Sequence, residues 1–135
     1  MSFTIYAIAG DPGGAEALVP VLKALAERDG VCVVHGAYRQ ARDRWAAHGI
    51  EFDEIDEAVT IENCQDLIRQ AGAHFLLTAT SMNGIDLEIR FISAARKLKV
   101  PSLALLDFWS NYRERFSGAA GELDFLPDCI AIMDT

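Results

Sequence analysis

The feature that most constrains the fold is a rhythm of short apolar runs. Phe3 to Ala9, Val31 to His35, Ile50 to Ile55, His74 to Ala79, Leu103 to Asp107 and Cys129 to Met133 recur along the chain, with helical spacing between most of them. Each has the length of a strand and falls far short of the ~20 apolar residues of a membrane-spanning helix. After the first run, Leu18, Val21, Leu22, Leu25 and Ala26 repeat at helical intervals, with Pro20 expected in the first turn and Gly30 at the end. Gln40 to His48 reads as a short helix stopped by Gly49. Thr60 reads as the cap of a helix that ends at Gly72, with Glu62 in its first turn, Asn63 just beyond, and Leu67 and Ile68 facing inward. A further helix runs from about Ile85 to Leu98, and Ile50, Phe52 and Ile55 are expected on one side of the third strand.

Strands alternating with helices pair in parallel through crossover connections. The fold class is therefore α/β, an open Rossmann-like parallel sheet of about six strands with helices on both faces. A length of 135 residues fits one such domain.

Charge and cysteine content narrow the function. Twenty Asp and Glu against 12 Lys and Arg leave a net charge of −8, which opposes binding to nucleic acid or to an anionic membrane surface. The acid is concentrated: Glu51, Asp53, Glu54, Asp56, Glu57, Glu62 and Asp66 fall in one stretch without a Lys or Arg, and Glu122, Asp124, Asp128 and Asp134 near the end. Such runs usually form solvated faces. Arg39, Arg113 and Arg115 lie where an anionic ligand would bind, so the net charge does not exclude one. Cys32, Cys64 and Cys129 have neither Cys-x-x-Cys nor zinc-ligand spacing and are expected as reduced core thiols; no metal or cofactor is expected. The start of the chain reads directly into a strand rather than a signal peptide, which makes the cytoplasm the default location.

In parallel open sheets, ligands bind beyond the carboxyl ends of the strands. The stretches to search are Gly10 to Gly14, Gly36 to Arg39, Ser81 to Gly84 and Asp107 to Arg115. Gly10, Gly13 and Gly14 let backbone N–H groups approach an anion at a helix start, or serve only a tight turn. Their spacing is neither the dinucleotide fingerprint nor a phosphate-binding loop of NTPases, and His35 and Gly36 stand where an NAD enzyme carries its ribose-binding acid. Asp11, Glu16, Asp86 and Asp107 are the carboxylates near that edge able to act as a general base toward a hydroxyl. Asp107, Trp109, Asn111 and Arg113 set polar groups around aromatic rings, an arrangement suited to a sugar or a flat ring, with packing of Phe108 and Trp109 the alternative. His35, His48 and His74 show no triad or metal spacing and read as solvent or core residues.

Several of these stretches resemble the N-terminal domain of the two-domain glycosyltransferases of the B fold (GT-B) and the related UDP-sugar 2-epimerases. Ala9 to Gly14 before an apolar helix resembles the opening of the lipid A disaccharide synthases. The glycines followed by Pro20, Leu22, Leu25 and Gly30, with Gly49 to Phe52 further on, are similar to the peptidoglycan N-acetylglucosaminyltransferases. Asp86 to Pro101 resembles the helix of the lipid A enzymes that opens on an aspartate important for activity. One departure is that the histidine many of these transferases place after the glycines is replaced by Ala15 and Glu16.

The resemblance implies an acceptor-side domain that needs a donor-binding C-terminal domain or subunit for activity, with a sugar nucleotide and a sugar acceptor as ligands. It implies Asp86, with Asp11 and Glu16 behind it, as the base; Gly10, Gly13 and Gly14 beside the phosphates; and Ser81, Asn83, Asp107, Trp109, Asn111 and Arg113 on the acceptor side. A different reading is a stand-alone small-ligand-binding or assembly module, including a homodimer, without chemistry of its own. That reading predicts a last strand that is well covered.

Overall fold

A computed structural model describes residues 2–106, 116 and 126–132. In chain order the elements are β1 (Phe3–Ala9), α1 (Pro12–Ala26), β2 (Val31–Ala37), α2 (Ala41–Ala47), β3 (Asp53–Glu54), α3 (Ile61–Ala71), β4 (Phe75–Thr78), α4 (Leu87–Lys97), β5 (Ser102–Leu106) and β6 (Cys129–Ile132). The strands form one six-stranded sheet in the order β3-β2-β1-β4-β5-β6, and every pair is parallel. The order reverses at β1, so the connections that leave β1 and β4 flank a crevice at the carboxyl edge.

Side chains along β1 alternate between two cores, as a strand covered on both faces requires. Ile5, Ala7 and Ala9 pack with Leu18, Val19, Leu22 and Trp45 on the α1/α2 face. Tyr6 and Ile8 pack with Ile68, Leu76, Leu87 and Phe91 on the α3/α4 face. Trp45 is fully buried and donates from Nε1 to the Ala15 carbonyl at 3.0 Å, which ties α2 to the first turn of α1. A buried indole N–H needs such a partner.

The helix signals hold at α3. Thr60 Oγ1 accepts from the Asn63 amide and Asn63 Oδ1 accepts from the Thr60 amide, both at 3.1 Å, a reciprocal capping box. Gly72 ends the helix at φ 65°, the left-handed conformation that glycine reaches without strain.

Three expectations need correction. Pro20 lies in the interior of α1 and not in its first turn; it is exposed, so the helix passes through it to Ala26 with one backbone bond fewer. The third strand pairs only at Asp53 and Glu54, and Ile55 packs on the α3/α4 face while Ile50 and Phe52 pack on the other. The odd spacing from Phe52 to Ile55 is the reason, since faces alternate with every residue. Of the cysteines only Cys64 is buried, and burial pushes its thiol up to about 12; Cys32 and Cys129 are exposed. Among the described residues β6 is an edge strand, with Ile130 37% and Ile132 52% exposed. Among the described residues no helix is long and apolar enough to cross a membrane.

Candidate functional site

The crevice at the carboxyl edge is filled by a hydrogen-bonded cluster drawn from the first turns after β1, β2 and β4. Asp11 and Asp86 occupy the N-cap positions of α1 and α4, yet neither side chain caps its own helix. Both turn toward the connection between β4 and α4. Asp11 accepts from the Met82 amide at 3.0 Å and from Asn83 Nδ2 at 2.7 Å. Asp86 accepts through Oδ1 from Ser81 Oγ at 3.0 Å and from the Asn83 amide at 3.1 Å. Its backbone is left-handed at φ 51°, a conformation that Asp tolerates better than most residues and that is found at functional sites.

Asn83 holds this connection closed. Its Nδ2 donates to Asp11 and to the Tyr38 hydroxyl, and its Oδ1 accepts from the Ile85 and Asp86 amides, both at 2.9 Å. Two donors and two acceptor sites are all a carboxamide offers. All four of these sites on Asn83 are engaged within the cluster. Ser81 is likewise buried and bonded inward.

Two residues that were not singled out in the sequence complete the cluster. Tyr38, buried just beyond β2, crosses the crevice so that its hydroxyl contacts Glu88 Oε1 and accepts from the Leu87 amide at 3.2 Å and from Asn83 at 3.1 Å. Burial and the adjacent carboxylate push the Tyr38 phenol up, so it stays neutral. Glu88 is in the first turn of α4 and fully buried; loss of solvent raises its carboxyl from 4.5 to about 7, against the opposing pull of its bonds to Tyr38 and Ser81. Its second oxygen, Oε2, has no hydrogen-bond partner among the described residues. A signal for Glu88 was present: it stands four residues before Ile92 and three before Phe91, on the apolar stripe of its helix.

Gly10 and Gly14 sit in close approaches. A methyl group at Gly10 would run into the Tyr38 ring, 2.6 Å from its hydroxyl oxygen, and one at Gly14 would lie 2.6 Å from Ala79 Cβ. Gly13 is exposed at the start of α1, whose first turn has no acidic residue and no side-chain cap. Glu16 stands apart, paired with His48 at 3.0 Å and Arg44 at 3.9 Å. Arg39 and Arg42 are also spoken for, ion-paired with Glu57 at 3.1 Å and Glu54 at 3.3 Å. These exposed pairs contribute about 0–1 kcal/mol each and neutralise part of the acidic stretch.

His35 lies edge-on to Trp45, and burial lowers its pKa. His74 stacks on Phe3 and accepts the Thr4 amide at 3.0 Å. A groove of about 1030 Å³, lined by Leu22, His35, His48, Ile50 and Phe52 among others, lies on the α1 side of β2. It contains none of the expected site residues. Asp107, Trp109, Asn111 and Arg113, with Phe108 and Arg115, lie outside the described residues. Among the described residues no group of three or more His, Cys, Asp or Glu is placed to hold a metal ion.

Comparison with known proteins places this geometry in a known fold. No family model and no curated protein matches the sequence. Among solved structures, the chain is similar to the UDP-GlcNAc 2-epimerase from Neisseria meningitidis bound to UDP-GlcNAc, with a TM-score of 0.62, 14% identity, and coverage of 76% of this chain and 32% of that one. It is also similar to Acinetobacter baumannii MurG, with a TM-score of 0.63, 16% identity, and coverage of 78% and 35%. A third is the Streptomyces sp. SF2575 glycosyltransferase SsfS6, with a TM-score of 0.56, 16% identity, and coverage of 77% and 39%. The chain spans about a third of the length of these structures and matches their N-terminal parts. The fold is that of the N-terminal GT-B domain, and at such identities the likeness is one of fold alone.

Proposed function

We propose that the chain is the acceptor-side domain or subunit of a sugar-nucleotide-dependent glycosyltransferase or related UDP-sugar epimerase, with the donor-binding half supplied by a further domain or a partner subunit. The observation that carries this reading is the pair of N-cap aspartates, each turned from its own helix toward one connection at the switch point of a fold shared with sugar-nucleotide enzymes. The exposure of Ile130 and Ile132 on β6, an edge strand among the described residues, supports it over the stand-alone module, which predicts a covered last strand.

Within the cluster Asp86 is the base. Both of its bonds among the described residues fall on Oδ1, which leaves Oδ2 to take the proton of an acceptor hydroxyl. Asp11 uses both oxygens to hold the Met82–Asn83 backbone and amide, and so positions the connection. Glu16 is held by His48 and Arg44 and has no part in the step. Gly13 and Gly14, at the uncapped and positive end of α1, lie beside the phosphates of the nucleotide.

The test combines binding and turnover. A UDP-sugar or acceptor sugar at 100 times its Kd should stabilise the chain by about 2.7 kcal/mol in a thermal-shift titration, while the chain alone should not turn over any UDP-sugar. Stabilisation by a nicotinamide or flavin cofactor in place of sugars would overturn the assignment. Turnover by the chain alone would contradict the need for a second half.

A further inference from the structure

Ser81 has one hydroxyl proton and two carboxylates able to accept it, Asp86 Oδ1 and Glu88 Oε1, each at 3.0 Å; its third neighbour, the Tyr38 hydroxyl oxygen at 3.3 Å, already accepts from Asn83 and Leu87. A serine hydroxyl donates once, so it serves one of them at a time. The other neighbours of Glu88 restrict the choice. The Tyr38 oxygen already accepts from Leu87 and Asn83, so its proton points to Glu88 Oε1. Glu88 Oε2 is buried and without a partner among the described residues, so a proton on Glu88 is best placed on Oε1, where it can be donated to Ser81 Oγ. The Ser81 proton then goes to Asp86. When Glu88 loses its proton, the buried anion draws the Ser81 hydroxyl to itself and Asp86 loses a donor.

We propose that Ser81 is a hydrogen-bond switch through which the buried Glu88 sets the basicity of Asp86. With Glu88 neutral, Ser81 stabilises the Asp86 carboxylate and weakens it as a base; with Glu88 ionised, the lost hydrogen bond and the new negative charge both strengthen it. Glu88 is thus a positioning residue that acts through Ser81 and touches no substrate. The titratable groups that act on it are Tyr38 from the β2–α2 connection and Asp11 from the β1–α1 connection, with Asp86 on the other side of Ser81. Tyr38 stays neutral, and Asp11 is a charge that disfavours ionisation of Glu88. The functional meaning rests on Asp86 as the base, whereas the switch is a property of three side chains and is testable without substrate.

The experiment follows the side-chain carboxyl carbons of Asp86 and Glu88 by NMR across the titration of the whole chain, in the wild type, Ser81→Ala, Ser81→Thr and Glu88→Gln. In the wild type Glu88 should titrate near 7, and the Asp86 signal should show a second inflection at that same midpoint. Glu88→Gln should remove the inflection. Ser81→Ala should shrink it by more than half, and Ser81→Thr, which keeps a hydroxyl, should restore it. An Asp86 signal blind to Glu88, or an inflection of full size in Ser81→Ala, would overturn the switch, the latter because the coupling would then run through space. Should Ser81→Ala fail to fold, Glu88→Gln decides alone: a second Asp86 inflection that persists there refutes the proposal. Because the carboxyls themselves are read, an intact switch together with an inert Asp86 would sink only the base assignment.

Discussion

Between pH 4.5 and 7 the wild-type chain should lose about 3 kcal/mol of folding stability through Glu88 alone, on the order of 10 °C in Tm for a domain of this size. The folded carboxyl is raised to about 7 from 4.5, so across that window the native state holds a proton that the unfolded state has released. Stability from this group is fully present below 4.5, falls as pH rises, and levels off above about 7. Glu88→Gln keeps the shape and remains neutral. It places an amide N–H₂ where Oε2 has no partner, a cost that shifts the whole curve without bending it. The difference in unfolding free energy between the variant and the wild type should therefore grow in the variant's favour with pH across this window. The check is urea denaturation of both proteins at several pH values. A constant difference would mean that Glu88 is ionised at ordinary carboxylate pH, with a solvent path to its site.

Gly10→Ala should destabilise the fold by about 3 kcal/mol or more. The three atoms nearest to an added methyl all belong to the Tyr38 ring, and that ring is buried against the crevice. Moving it pulls the hydroxyl from Glu88, Asn83 and Leu87 at once. A double-mutant cycle separates this from backbone effects: in a Tyr38→Ala background the same change at Gly10 should cost less than about 1 kcal/mol. Gly49→Ala is the control. It has open space around it but a φ of 73°, so it should cost about 1 kcal/mol through the backbone. If Gly10 served only to let a ligand approach, Gly10→Ala would leave stability unchanged and affect binding alone.

These two expectations mark the boundary between what local sequence reveals and what it does not. Thr60 with Asn63, and Gly72 at the helix end, were legible because caps and stops act within a few residues. The parallel sheet was legible because alternating apolar runs and helices leave few ways to bury both. Asp11, Ser81, Asn83 and Asp86 could be placed near one edge by topology, but not their division of labour. That division depends on Tyr38, whose hydroxyl meets Asn83 and Glu88 from 45 and 50 positions away in the chain. Such pairings leave no mark on local periodicity. Glu88 did leave one, an acid on the apolar stripe of α4, although an acid in the first turn of a helix is also what the helix dipole favours. The glycine at position 10 left open a ligand approach or a tight turn, and local sequence could not show that the Tyr38 ring lies against it. Arg39 lay at the expected edge, yet its charge is met by Glu57 from the acidic stretch.

The central claim is that the carboxyl edge at the β1–β4 switch point is where a sugar nucleotide and its acceptor meet this chain. The most direct test is an amide-resolved NMR titration of the chain with UDP-N-acetylglucosamine, repeated with Asp86→Asn. The account predicts that the amides of Gly13, Gly14, Met82, Asn83 and Asp86 shift together, and that the Asp86 variant changes the response around the β4–α4 connection while Gly13 and Gly14 still respond. Shifts confined to the groove of His35 and His48, or none at saturating nucleotide sugar, would contradict it.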